Sequence, residues 1–184
     1  MNEGVLAQEN IVGDPHAQGS SYITASYVKY LESAGARVVP IRINRTDEEY
    51  EKIFNSINGL LLPGEGVDLQ TSQFSRLSKI FCDLAIKVFL THQNYFPIWD
   101  MCQGLQQMTV LTSNKNLLTP TETKAVALPL TFTPANHYPF YAVQWHPEKS
   151  PFEWVDKPGM VHSAASVRAS FYTAHFFVSE SDLF

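Results

Sequence analysis

The chain has 184 residues, 45% of them hydrophobic and 17% charged, with 13 Lys and Arg against 18 Asp and Glu for a formal net charge of −5. That length fits one domain, 1–184, with a sizeable core, and the charge balance argues against a disordered chain or a basic nucleic-acid-binding face. No apolar run approaches the ~20 residues of a membrane-spanning helix, and Cys82 and Cys102 do not make a disulfide framework or a zinc site.

In chain order, Gly4 to Ala7 reads as a first strand and residues 9–20 as a loop. Apolar positions from Ser21 to Ala34 (Tyr22, Ala25, Val28, Tyr30, Leu31) have rough helical spacing, and Gly35 suits the left-handed cap that ends a helix. On that helix Lys29 and Tyr30 are read as surface positions. Arg37 to Ile43 is β-branched and strand-like. Thr46-Asp47-Glu48-Glu49 has the spacing of a capping box and opens a helix running to about Ile57. Gly59 to Leu62 is a short buried strand, and Pro63-Gly64-Glu65-Gly66 a turn. Phe74, Leu77, Ile80, Phe81, Leu84, Ala85 and Val88 line one face of a long helix, which puts Cys82 in the core rather than in chemistry. Ile98 to Met101 is a strand, Leu105 to Leu111 a helix, and Thr119 to Thr133 a hairpin or two short strands. This alternation predicts an α/β fold, a mostly parallel sheet flanked by helices, with its site at the strands' carboxyl ends. Pro63-Gly64, Cys102 and His146 each follow a strand and are expected to meet there.

Two stretches carry chemistry. In Ile98-Trp99-Asp100-Met101-Cys102-Gln103-Gly104-Leu105 a short apolar strand ends in a cysteine, a glycine sits two residues later, and a helix-compatible segment follows. A sharp strand-to-helix turn exposes its turn residue at the sheet edge, the geometry of a nucleophile elbow. The helix N-terminus, with unpaired N–H groups and positive dipole end, favours the thiolate. The second stretch, Tyr141-Ala142-Val143-Gln144-Trp145-His146-Pro147-Glu148, ends another strand in a histidine and, two residues on, a carboxylate. These are the base and orienting group that a thiol nucleophile requires. His16, His92, His137, His162 and His175 have no comparable context. Glu153 and Trp154 are read as structural.

With these motifs in view, the chain resembles the class I glutamine amidotransferase-like group and, within it, the gamma-glutamyl hydrolase family. The resemblance also rests on Tyr22-Ile23-Thr24-Ala25-Ser26-Tyr27-Val28-Lys29-Tyr30-Leu31-Glu32-Ser33-Ala34-Gly35, Ser56-Ile57-Asn58-Gly59-Leu60-Leu61-Leu62-Pro63-Gly64 and Gln144-Trp145-His146-Pro147-Glu148-Lys149-Ser150-Pro151-Phe152-Glu153-Trp154. It implies a flavodoxin-like three-layer sheet and a cysteine hydrolase that cleaves folyl-poly-gamma-glutamates through an acyl-enzyme. Cys102 would be the nucleophile, His146 the base and Glu148 its orienting partner. Backbone N–H groups of Gln103, Gly64 and Glu65 would stabilise the oxyanion. No metal or cofactor is implied; the partner is the small-molecule substrate, with neither nucleic acid nor membrane, and a homodimer is admitted.

Three departures from the family pattern stand out. Asp100 replaces a glycine two residues before the cysteine, where it is expected to place bulk and negative charge near the sulfur. Glu65 stands where the family has a second glycine. A family segment near residues 133–140, which holds a second site histidine, has no counterpart, so the fold is expected to be incomplete. These departures support an alternative, a catalytically inactive or unstable short form. A further alternative is the glutaminase of an amidotransferase, which would need a synthetase partner. The resemblance implies lysosomal and extracellular location. Met1-Asn2-Glu3-Gly4 shows no signal-peptide pattern, which reads as cytoplasmic, and Asn44-Arg45-Thr46 is a glycosylation acceptor only on the secretory route.

Overall fold

The computed structural model describes residues 1–10, 13, 15, 17–64, 66–92, 94–121, 138–156 and 158–183. The elements in chain order are β1 (Asn2–Leu6), β2 (Gln8–Glu9), β3 (Ser21–Tyr22), α1 (Ala25–Ser33), β4 (Arg37–Ile41), α2 (Asp47–Phe54), β5 (Gly59–Leu62), α3 (Gln73–His92), β6 (Ile98–Met101), α4 (Gln103–Ser113), β7 (Phe140–Val143), α5 (Lys149–Phe152) and α6 (Ala164–Glu180), closed by a 3-10 turn at Ser181–Leu183. Five strands form one sheet in the order β4-β1-β5-β6-β7, every pairing parallel. Counting only its own strands, the sheet runs 2-1-3-4-5, the flavodoxin-like doubly wound order. The fold is that of the class I glutamine amidotransferase-like group, as expected.

The inner strands β1, β5 and β6 are buried on both faces, and the sheet's side chains alternate between two cores. Leu6, Ile41, Leu60, Leu62 and Ile98 point to the side covered by α2, α3 and α4, where Tyr50, Phe54, Phe74, Leu77, Phe81 and Met108 meet them. Val5, Leu61, Trp99 and Met101 point to the side covered by α1 and α6, through Tyr27, Tyr30, Leu31, Ala174 and Phe177. Phe81 is fully buried and packs near Tyr50 and Phe54, so its truncation to alanine would cost about 3–5 kcal/mol. Cys82 lies in this core beside Met108, 3.9 Å between the sulfurs, as its place in the helical pattern indicates.

Local signals account for most boundaries. Thr46 caps α2 reciprocally: its hydroxyl accepts from Glu49 N–H at 3.3 Å, and Glu49 accepts from Thr46 N–H at 3.0 Å. Such a cap contributes about 1 kcal/mol. Gly35 follows α1 with φ +93°, a conformation that needs no Cβ. Some boundaries differ from expectation. Ser21–Tyr22 does not begin the helix but pairs antiparallel with Gln8–Glu9. The third helix extends to His92, four residues past the apolar stripe, and α4 starts directly at Gln103 rather than Leu105.

Residues 155–184 carry no expectation from the sequence, yet Ala164–Glu180 is a 17-residue helix capped by Ser163. It lies on α1, and that overturns the surface reading of Tyr30, whose side chain is fully buried and donates to Thr173 Oγ1 at 2.9 Å. Lys29 is exposed, as read. The hairpin expected over Thr119–Thr133 lies, beyond residue 121, outside the described residues.

Candidate active site

Three loops at the carboxyl ends of β5, β6 and β7 build the site, at the position where a doubly wound sheet offers one. Cys102 is the hinge between β6 and α4. Its backbone has φ 51° and ψ −103°, left-handed space that a residue with a Cβ rarely occupies. Holding it there costs about 1–3 kcal/mol. The constraint is supplied from three sides. Cys102 N–H donates to Val143 O at 2.7 Å, which locks the elbow to the end of β7. Gly64 lies so close that a Cβ built on it would sit 2.4 Å from Cys102 Cβ, and a Cβ on Gly104 would sit 2.4 Å from Leu62 O. The glycines before and after the cysteine are therefore required by contact, not by chain flexibility.

His146 follows β7 by three residues. Its Nδ1 lies 2.7 Å from Glu148 Oε1. Glu148 is fully buried, and its carboxylate accepts the Nδ1 proton, so Nε2 is left for chemistry. Burial alone would lower the His146 pKa, but hydrogen bonds to Cys102 and Glu148 and the charges of both push it up to about 9. The imidazole is thus biased toward the cation, the form that pairs with a thiolate. The structure brings Cys102, His146 and Glu148 into one connected set.

Gln103 and Gly64 flank the sulfur from the other side. Gln103 is the first residue of α4, so its N–H has no partner within the helix. Its side chain bonds both backbone groups of Val67, which ties the loop after β5 to the elbow. Gly64 N–H donates to Tyr27 Oη at 2.9 Å, and Tyr27 Oη–H donates to Gly64 O at 2.8 Å. Glu65 lies outside the described residues.

Tyr27 was not singled out by the sequence reading. Its hydroxyl clasps Gly64 and stands 3.4 Å from His146 Nδ1, 119 residues along the chain. The signal available was its place near the start of α1 in a family-matching segment, but nothing local distinguishes it from Tyr30. Gln144 was likewise passed over within its motif; its Nε2 lies 3.6 Å from Cys102 Sγ.

Asp100 departs from expectation. As a strand residue two before Cys102, it points into the core shared with α3 and α4, is fully buried, and among the described residues has no hydrogen-bond partner for either oxygen. Burial drives its pKa well above the carboxylate range. Its electrostatic influence reaches Cys82, whose thiol is pushed up first by burial and then by Asp100. The expected negative charge near the Cys102 sulfur is instead a carboxyl under the sheet, on the side of Cys82, with burial disfavouring its charged form. Among the described residues no group of three His, Cys, Asp or Glu side chains is placed to hold a metal ion, and no helix is long and apolar enough to cross a membrane.

A cysteine in strained backbone at a strand–helix junction, with a histidine–carboxylate pair on the adjacent strand end, defines a thiol hydrolase of the nucleophile-elbow class. Comparison with known proteins narrows the class. The peptidase C26 family model matches residues 4–115. The chain is 39% identical over 244 aligned residues to gamma-glutamyl hydrolase of Rattus norvegicus, covering 97% of this chain and 76% of the relative. It is 37% identical over 229 to gamma-glutamyl hydrolase of Homo sapiens, covering 89% and 72%. Gamma-glutamyl hydrolase B of Dictyostelium discoideum is 32% identical over 232, covering 89% and 67%. The chain belongs to the peptidase C26 family, the cysteine peptidases to which its elbow corresponds. An alignment of 244 positions against a chain of 184 residues leaves at least 60 positions of the rat protein without a counterpart here (244 − 184).

Proposed function

We propose that this chain hydrolyses gamma-glutamyl amide bonds, with folyl-poly-gamma-glutamates as substrates. Its relatives are named gamma-glutamyl hydrolases. The observation that carries the reading is the strained Cys102 elbow set against the His146–Glu148 pair.

In the proposed mechanism His146 holds the thiol proton as an imidazolium, paired with the Cys102 thiolate and steadied by Glu148. The sulfur attacks the carbonyl carbon; the S–C bond forms and the carbonyl π pair moves onto oxygen. Gln103 N–H stabilises that oxyanion, with Gly64 N–H as a second donor once it leaves Tyr27. Collapse breaks the C–N bond, and His146 gives its proton to the departing amine. Water then attacks the thioester, losing a proton to His146, and the glutamyl carboxylate leaves as Cys102 is restored.

Lysosomal or secreted location belongs to the same proposal. On that route exposed Asn44 is the acceptor for N-glycosylation, and a glycosidase-sensitive mass shift at Asn44 tests it.

The decisive experiment follows glutamate and shortened folates released from a folyl-poly-gamma-glutamate by the purified chain and by Cys102→Ala. Release by the wild type, abolished in Cys102→Ala, is the expected result. Ammonia release from free glutamine with no gamma-glutamyl cleavage would turn the reading to a glutaminase.

A further inference from the structure

Among the described residues the oxyanion site has few uncommitted donors. Of the two backbone donors within the described residues, Gly64 N–H is engaged by the Tyr27 hydroxyl at 2.9 Å. Gln103 N–H remains. A tetrahedral intermediate with a full negative charge on oxygen is ordinarily met by two or more donors, and side-chain amides of Asn and Gln serve as well as backbone groups.

Gln144 supplies such a group. It directly follows β7, and the residue before it, Val143, accepts the Cys102 N–H at 2.7 Å. That bond fixes the backbone of Gln144 relative to the elbow. From there Gln144 Nε2 reaches Cys102 Sγ at 3.6 Å, hydrogen-bond range for a sulfur acceptor. The side chain is solvent-exposed, so it faces the space from which a substrate enters rather than the core. His146, two residues on, is close enough to the same sulfur for Cys102 to raise its pKa. The sulfur thus sits between an imidazole and an amide on one short stretch of chain, the first able to move a proton and the second able only to donate.

We propose that the Gln144 side-chain amide is a catalytic hydrogen-bond donor, first to the Cys102 thiolate and then to the oxyanion that forms on the carbon the sulfur attacks. When the S–C bond forms, negative charge leaves sulfur for the carbonyl oxygen. A donor already within reach of Sγ follows that charge by a small side-chain rotation, with no change in its protonation. This rests on the hydrolytic reading above.

The test uses the full chain and the variants Gln144→Leu and Gln144→Glu. Two readouts are taken: the pH dependence of Cys102 alkylation by a small neutral electrophile, and kcat and KM on a folyl-poly-gamma-glutamate. Loss of one oxyanion donor costs about 10²–10³ in rate. Gln144→Leu is therefore expected to lose about 100-fold in kcat with little change in KM, and to shift alkylation to higher pH. Gln144→Glu is expected to be as impaired at neutral pH, where its carboxylate cannot donate. It should regain activity relative to Gln144→Leu below about pH 4, where a protonated carboxyl can donate. A purely structural role would give no such acid rescue. Gln144→Leu with kcat within threefold of wild type overturns the proposal, as does an unshifted alkylation profile. Should the wild type cleave no gamma-glutamyl substrate, the functional reading fails, and the alkylation profiles alone still decide whether Gln144 donates to the sulfur.

Discussion

Gly64 and Cys102 are in contact through their α-carbons' empty and filled positions: a Cβ on the first would lie 2.4 Å from the Cβ of the second, 2.9 Å from Met101 O and 3.1 Å from Gln103 N. The turn after β5 and the elbow after β6 are thus one packed unit. Gly64→Ala is expected to push the elbow out of its left-handed conformation. Overpacking of this kind costs about 1–3 kcal/mol, and the displaced sulfur would lose its partners. A fall of at least 100-fold in gamma-glutamyl hydrolysis, with slower alkylation of Cys102, is the expected outcome. Wild-type alkylation in Gly64→Ala would show that the contact relaxes harmlessly.

The imidazolium of His146 should persist well above neutral pH. Its folded pKa is pushed up to about 9 from an ordinary value near 6.5. A histidine raised in the folded state adds stability that is fully present below pH ~6.5 and is lost as pH rises through about 9. Glu148→Gln removes the carboxylate partner and should lower the His146 titration by one unit or more, visible in the imidazole NMR signals. It should also flatten the loss of stability between pH 7 and 9.

Glu3 supplies the opposite sign. Burial raises its pKa to about 7, against the lowering effect of the Ser181 hydroxyl bond at 3.3 Å. The folded chain keeps a proton there that the unfolded chain releases above pH ~4.5. Stability should therefore fall as pH climbs from about 4.5 to 7. Glu3→Gln, nearly isosteric, is expected to match wild type near pH 4 and to exceed it in melting temperature at pH 7.5. Equal melting temperatures at both pH values would show that Glu3 is not held protonated.

Asp100 makes a related prediction with a different readout. Its two oxygens are buried without partners among the described residues, and its charge acts on Cys82. Asp100→Asn is expected to raise stability increasingly as pH climbs above ~4, where the unfolded aspartate releases its proton and the folded one is held against ionising, because an amide has no charge to bury. The pH profile of Cys102 alkylation should stay in place. A shift of that profile in Asp100→Asn would restore the view that this residue acts on the nucleophile.

Much of this architecture is legible in the amino-acid order because its determinants are local. The apolar face from Phe74 to Val88, the Thr46–Glu49 cap and the strand–Cys102–helix junction each lie within a few residues of one another. Tyr30 shows where such reading stops. Its spacing on α1 gives no sign that Thr173, 143 positions later, will cover it. In α6 the polar Ser170 and Thr173 lie on the buried face while Phe171 and Tyr172 are exposed, so periodicity does not announce it. Tyr27 and Gln144 were missed for the same reason: their significance lies in contacts to Gly64, His146 and Cys102 across 37 to 119 residues. Asp100 was read correctly as unusual but assigned to the wrong neighbour, since alternation along β6 turns it away from the elbow.

Cys102 and His146, the proposed nucleophile and base, ride on strands of unequal standing. β6 is held between β5 and β7, whereas β7, from which His146 extends, is the outermost strand of the described sheet. The proposed pairing of Cys102 with His146 is therefore only as durable as one strand-to-strand seam. Fraying of that seam separates imidazole from sulfur while the interior strands and both cores stay intact, so the chain can fall silent well before it melts, and activity becomes a more sensitive gauge of its integrity than any global measure of folding.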